Sequence, residues 1–239
     1  MYTDLAAMDS ALVQCRACTR LVAWREEVAN TKRAAYRDET YWGLPVPGIG
    51  PADAELLILG LAPAAHGGNR TGRMFTGDRS GDVLFAALYA VGLTNQPTST
   101  AHDDGLQLYH TRITAPVHCA PPDNKPTVEE RDTCADWLHA ELDLLAPTMR
   151  VVMTLGGFGW AAALRVLRDH GWRIPRPQPR FGHGAQVVLY GDHVPPVTLI
   201  GSYHVSQQNT FTGRLTPSML EEVLAQAKTA AGITGGGRR

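Results

Sequence analysis

The chain predicts an α/β sandwich built on a mainly parallel sheet. Short apolar runs bounded by turn residues alternate with segments of helical periodicity, the pattern of strands joined through helices. Three long polar loops each follow one of those runs, as ligand loops do at the carboxyl ends of parallel strands. With 239 residues, 44% hydrophobic and 19% charged, the chain can fill one core but hardly two, so a single domain over 1–239 is expected.

The elements follow in order. Asp4 to Val28 reads as one helix, with Leu5, Met8, Leu12, Leu21 and Val22 at helical spacing. The Pro- and Gly-rich GLPVPGIGP from Gly43 to Pro51 ends it as an extended connector. AELLILG, Ala54 to Gly60, is a continuous apolar run typical of a strand buried on both faces. Ser80 to Val91 is helical, with Val83, Leu84, Ala87, Leu88 and Val91 on one face and Gly92 as its stop.

Leu108 to Val117 is strand-like and runs into HCAPPDNKP. Thr127 and Glu130 have the spacing of a capping box for the helix carrying Cys134, Trp137, Leu138, Glu141 and Leu145. Arg150 to Leu155 predicts a strand, and Phe158 to His170 a helix. Trp172 to His183 is irregular and is the most basic local stretch, with Arg173, Arg176, Arg180 and His183. Gln186 to Tyr190 and Val197 to Tyr203 are strand-like, Pro217 to Ala231 is a last helix, and a frayed tail is expected from about 233 to 239.

The formal net charge of -1 gives no general nucleic-acid signature, so any DNA contact must rest on local groups. No run of about 18 apolar residues occurs, and the N-terminus lacks a basic stretch before an apolar core. A cytoplasmic, nucleoid-associated protein without membrane contact is expected, and a monomer.

The stretch from Gly60 to Asp78, GLAPAAHGGNRTGRMFTGD, has the make-up of an active-site loop. Its glycines allow close backbone approach to a ligand, and it ends at a predicted helix start, where free N–H groups favour anions. This loop, the CAPPDNKP loop and HVSQQNTFTGRLT all follow predicted strands and should meet on one face.

The four cysteines form a set. Cys15 and Cys18 are a C-x2-C pair, while Cys119 and Cys134 are separated by a Pro-rich loop and a helix. Four thiolates suit zinc or an iron-sulfur cluster, and four unrelated buried thiols are the plain alternative. The wide spacing of the second pair favours a 4Fe-4S cluster over a zinc ribbon.

CRACTRLVAWREEV, YWGLPVPGIG, GLAPAAHGGNRTGRMFTGD, CAPPDNKPT and SYHVSQQNTFTGRLT together resemble the uracil-DNA glycosylase superfamily, specifically family 5, the type B iron-sulfur enzymes. The resemblance covers most of the chain. It implies a three-layer α/β/α fold with a four-stranded, mainly parallel sheet and an N-terminal cluster-binding segment over about 1–50. It also implies a 4Fe-4S cluster held by Cys15, Cys18, Cys119 and Cys134, with zinc as the alternative.

The implied activity is monofunctional excision of uracil from double-stranded DNA in base excision repair. Such an enzyme flips the nucleotide and grips the base by stacking and edge contacts. On the resemblance, Phe75 stacks the base, with Gly60, Ala62 and Ala115 as further substrate-binding positions. His204 offers a donor to the leaving base, and Asp78 orients the attacking water in place of a polar residue that Leu61-Ala62-Pro63 lacks. Asn124 is a third candidate catalytic residue. Ala115 stands where uracil-strict relatives carry an Asn reader, which implies relaxed specificity, hypoxanthine included.

Arg70, Arg73, Lys125 and Arg214 are the expected backbone contacts, and Gln207, Gln208 and Asn209 are placed to enter the gap left by the flipped base. No lysine of these motifs is set as an amine nucleophile. A non-catalytic iron-sulfur protein that binds damaged DNA is the competing reading, because of the missing polar residue.

Overall fold

The computed structural model describes residues 2–235. The helices are α1 (Leu5–Leu12), α2 (Thr19–Thr31), α3 (Gly68–Thr71), α4 (Arg79–Ala90), α5 (Val128–Leu145), α6 (Gly157–Asp169), α7 (Gln207–Phe211) and α8 (Pro217–Ala230). The strands are β1 (Leu56–Leu59), β2 (Thr111–Thr114), β3 (Val151–Leu155), β4 (Trp172–Arg173), β5 (Gln186–Gly191) and β6 (Val197–Ser202). No described helix is long and apolar enough to cross a membrane.

The strands form one sheet in the order β2-β1-β3-β6-β5-β4. The first four are mutually parallel, as expected, and β5 and β4 extend the sheet antiparallel from the β6 edge. The sheet thus has six strands where four were expected. The additional pair comes from the returning hairpin before β6 and the two residues at the start of the irregular basic stretch.

Every residue of β1 is buried, because alternate side chains enter two different cores. Leu56 and Ile58 pack with Ile113, Met153 and Ile200 against Leu84, Leu88, Leu220 and Leu224 of α4 and α8. Leu57 and Leu59 pack with Val152 and Leu199 on the opposite face against Leu5, Met8, Leu138, Leu142 and Leu164 of α1, α5 and α6. Helices on both faces of the sheet make the three-layer α/β/α sandwich.

The sequence signals at helix ends hold. Thr127 and Glu130 make the reciprocal capping box, and Gly92 takes the left-handed conformation just beyond α4. Asp78 caps α4, its carboxylate accepting from the amide of Gly81.

Two expectations are corrected. The single N-terminal helix is two, broken over 13–18 around the C-x2-C pair, so that the cysteines lie on non-helical backbone facing the body of the domain. The tail does not fray at 233: Ile233 is buried at the edge of the α8 core, and its amide donates to the carbonyl of Lys228. The rest of that expectation, over 236–239, lies outside the described residues.

The N-terminal segment is locked to the sheet by charge as well as packing. Arg112 on β2 is buried and paired with the fully buried Glu141 of α5, and Asp9 of α1 lies 3.7 Å from the same guanidinium. Burial pushes the Asp9 carboxyl up to about 6, against the pull of Arg112.

Candidate active site

Because β1, β2 and β6 run parallel, the loops leaving their carboxyl ends emerge on one edge. There they enclose a cleft of about 590 Å³. From the first loop it is lined by Leu61, Ala62, Ala64, Met74, Phe75 and Asp78, from the second by Asp123, Asn124 and Lys125, and from the third by His204, Ser206, Gln207 and Gln208. The three motifs read from sequence therefore share one cavity, and Arg79 and Ser80 at the start of α4 complete it.

Phe75 is held in the left-handed backbone region at φ 52°, and Asp123 and Asn124 likewise at 55° and 54°. Such conformations cost a non-glycine residue about 1–3 kcal/mol each and gather at functional sites. The ring of Phe75 faces that of His204, centroids 6.4 Å apart. Its position depends on Gly60, where a Cβ would fall 2.8 Å from Phe75 Cζ. Gly60→Ala is therefore expected to displace the ring and lower kcat/KM for base release about five- to tenfold. That is part of the ~1–3 kcal/mol of a base–aromatic stack. Unchanged steady-state kinetics in the folded variant would remove Phe75 from the stacking role.

His204 follows β6 and is half-buried, with its ring nitrogens free of protein partners among the described residues. Burial lowers its pKa to about 4, so the ring is a neutral imidazole at physiological pH. It can present one N–H donor. Asn209 donates to the carbonyl of His204 at 2.8 Å, which fixes the backbone carrying the ring.

Asp78 is subject to opposing effects. Burial raises its pKa, and the amides of Gly81 and Ser80 at the start of α4 act against that rise. The start of α4 favours the ionised form, but desolvation outweighs it. One carboxylate oxygen caps α4 while the other lies against Gly67, where no Cβ would fit. Capping and lining the cleft are thus performed by the same side chain.

Several of the expected site residues stand elsewhere. Arg70 is buried, paired with Glu39, bonded to the carbonyls of His66 and Gly77, and stacked over Tyr36. Arg73 is buried in bonds to Asp104, Ser99, Thr76 and the carbonyl of His102. Both guanidiniums are committed inside the protein, which corrects their expected role on the DNA backbone. Asn209 donates its side-chain amide to the carbonyl of His204 and, unlike Gln207 and Gln208, does not line the cleft. Ala115 is buried in the core beneath the loops and contributes no surface to the cleft, so any effect on specificity is the absence of a reader.

Arg214 is exposed, its guanidinium 4.5 Å from the centroid of the Tyr203 ring. Lys125 is exposed at the cleft rim. Arg79 was not among the expected contacts, although it follows Asp78 at a helix start beside the motif. It lines the cleft and lies over the exposed ring of Phe211 at 5.6 Å.

The four cysteines come together around a second, narrow pocket, walled otherwise by Leu12, Leu21, Val22, Pro45, His118 and Trp137. All four are free thiols. Burial pushes the Cys119 thiol up to about 11 and raises Cys134 further still, so these two stay protonated as bare thiols. Among the described residues no three His, Cys, Asp or Glu side chains converge as one metal ion requires. The donor set is all sulfur, and the fully buried Arg25 donates to Cys119 Sγ at 2.9 Å. A buried cation beside sulfur fits a centre with negatively charged thiolate ligands. Arg25 was missed in the sequence, though an arginine on the apolar stripe of Leu21, Val22 and Val28 is the signal that could have found it.

Comparison with known proteins agrees with this arrangement. The family model described as the uracil DNA glycosylase superfamily matches residues 47–228. Type-5 uracil-DNA glycosylases of Mycobacterium tuberculosis and Thermus thermophilus are 55% and 50% identical to this chain over 96% of its length, covering 83% and 100% of theirs. A type-4 uracil-DNA glycosylase of Archaeoglobus fulgidus is 32% identical over 47% of this chain and 49% of its own. The type-5 similarity reaches beyond the family model at both ends. With its three motif loops closing one cleft, the chain belongs to the uracil DNA glycosylase superfamily.

Proposed function

We propose that this protein excises uracil, and other deaminated bases such as hypoxanthine, from double-stranded DNA by hydrolysis of the N-glycosidic bond. The observation that carries the reading is the shared cleft: an aromatic ring, a neutral imidazole and a part-buried carboxylate converge there from separate loops. The flipped base stacks on Phe75. As the bond between the base nitrogen and C1′ breaks, its electron pair leaves with the base, and negative charge grows on the base oxygen. The His204 N–H donates to that oxygen, where a preorganised donor is most effective.

Positive charge grows on the sugar at the same time. Ionised Asp78 stabilises it and orients a water whose oxygen bonds C1′; the water's proton ends on the departing base. Asn124, on its strained loop, lies at the rim to meet the base edge. Lys125 is exposed and lacks the desolvation that makes an amine nucleophilic, so an abasic site with an intact strand is the product.

Among the described residues Arg79, Lys125 and Arg214 make no ion pair and suit phosphates, and Gln207 and Gln208 at the cleft would fill the vacated stack. The protein would act as a monomer on chromosomal DNA in the cytoplasm. Ala115 leaves no polar reader beneath the base, which supports the broader substrate range.

The all-sulfur donor set around one pocket and the buried Arg25 support a 4Fe-4S cluster on Cys15, Cys18, Cys119 and Cys134, with zinc as the alternative. Bound there, the cluster would fasten the N-terminal segment to α5 and to the stem of the Asp123–Lys125 loop.

The test uses duplexes with a single uracil or hypoxanthine. Alkali-labile sites with both bases, and no cleavage without alkali, are expected. Cleavage without alkali would mean an amine mechanism, and uracil release alone would mean that Ala115 does not relax specificity. No release from either duplex by protein that binds both would favour a damage-binding role, which the apolar Leu61, Ala62 and Ala64 wall would then explain.

A further inference from the structure

Arg25 is fully buried, and among the described residues it has no carboxylate partner within ion-pair distance. A lone buried guanidinium costs several kcal/mol unless its charge is matched. Its two terminal nitrogens go to two of the four cysteine residues: Nη1 to Cys119 Sγ at 2.9 Å and Nη2 to the carbonyl of Cys15 at 3.1 Å. Four neutral thiols do not match the charge. A four-thiolate iron-sulfur centre, negatively charged as a whole, does.

The same residue reaches the catalytic loop through its backbone. Asn69, also fully buried, donates from Nδ2 to the carbonyl of Arg25 at 3.1 Å. Its own amide donates to the carbonyl of Ala64, which lines the cleft, at 3.0 Å. Two residues before Asn69, Gly67 lies against the free oxygen of Asp78. A continuous path of contacts therefore runs from Cys119 through Arg25 and Asn69 to the backbone behind Asp78. Arg25 Nε and Asn69 Oδ1, both on that path, are buried without partners.

We propose that Arg25 is a positioning residue that couples the cysteine centre to the base-excision site, neutralising the centre on one side and holding the Ala64–Gly72 backbone behind Asp78 through Asn69 on the other. This rests on the cluster reading above. Outer-shell donors of this kind orient ligands and tune potential, and a positive charge beside the centre favours the reduced state.

The experiment compares anaerobically purified wild type, Arg25→Lys, Arg25→Met and Asn69→Ala. For each protein, iron and acid-labile sulfide per chain, the midpoint potential and amide exchange over residues 61–74 are measured. Arg25→Met is expected to shift the potential to more negative values and to raise exchange over 64–72 at least tenfold, with Arg25→Lys restoring most of the potential. Asn69→Ala should keep iron and potential at wild-type values while raising exchange in the same loop at least tenfold.

Iron-loaded Arg25→Met with wild-type potential and exchange would overturn the coupling and leave the cluster reading intact. Iron-free wild type with one zinc per chain would overturn the cluster reading itself, and the coupling with it. Should Arg25→Met fail to fold, Asn69→Ala decides: wild-type exchange over 64–72 overturns the proposal, and a tenfold rise there at wild-type iron and potential supports it.

Discussion

Asp78→Asn is expected to slow single-turnover uracil release about 10²- to 10⁴-fold, the range for loss of a positioned acid–base group. The same change should raise the melting temperature at neutral pH. Burial lifts the pKa of folded Asp78 above its unfolded value, so its favourable contribution exists only below the unfolded pKa and is lost as pH rises through the folded one. At pH 7 the ionised carboxylate therefore opposes folding. Asparagine removes that cost and still caps a helix about as well as aspartate. Activity of the wild type should also fall on the acid side, starting above the usual carboxylate range. A variant both inactive and less stable would point to a capping role alone.

His204→Ala is expected to lower kcat about 10²- to 10³-fold, the loss typical of one preorganised donor to a developing anion. KM should change much less, because the donor acts mainly as charge develops. Burial depresses the folded pKa of His204 from 6.5 to about 4, so its protonation favours the unfolded chain. Stability in the wild type is lost as pH falls through that window, and denaturation midpoints of His204→Ala between pH 6.5 and 4 should fall less steeply. Equal pH slopes in the two proteins would contradict the burial of the ring.

Much of the site is legible in the chain because its parts are local. Strand, loop and helix follow one another around Gly60 to Asp78, and the parallel sheet then dictates that the three motif loops share an edge. That Asp78 and His204 share one cleft is legible from motif and position together. The fate of the arginines was not. Arg70 and Arg73 sit in the motif loop, yet their partners Glu39 and Asp104 are distant in sequence, so only the folded chain shows that both charges are already matched.

The break between α1 and α2 was hidden for a similar reason. No Gly or Pro marks residues 13–18, and the cysteine pocket, a tertiary feature, overrides local propensity there. The antiparallel β5 and β4 lay beyond the four strands implied by family resemblance. Their alternating exposure, buried only at Leu189 within β5, is weaker patterning than the continuous apolar run of β1.

Hydrolytic release of a base in this cleft is followed by chromatographic recovery of free base in a single turnover. Enzyme is mixed in excess with a duplex carrying one uracil, and base and strand are followed together. The expected result is one equivalent of free uracil, with the strand intact until alkali is added. A protein that binds the duplex yet leaves every uracil attached to its sugar would contradict hydrolytic release.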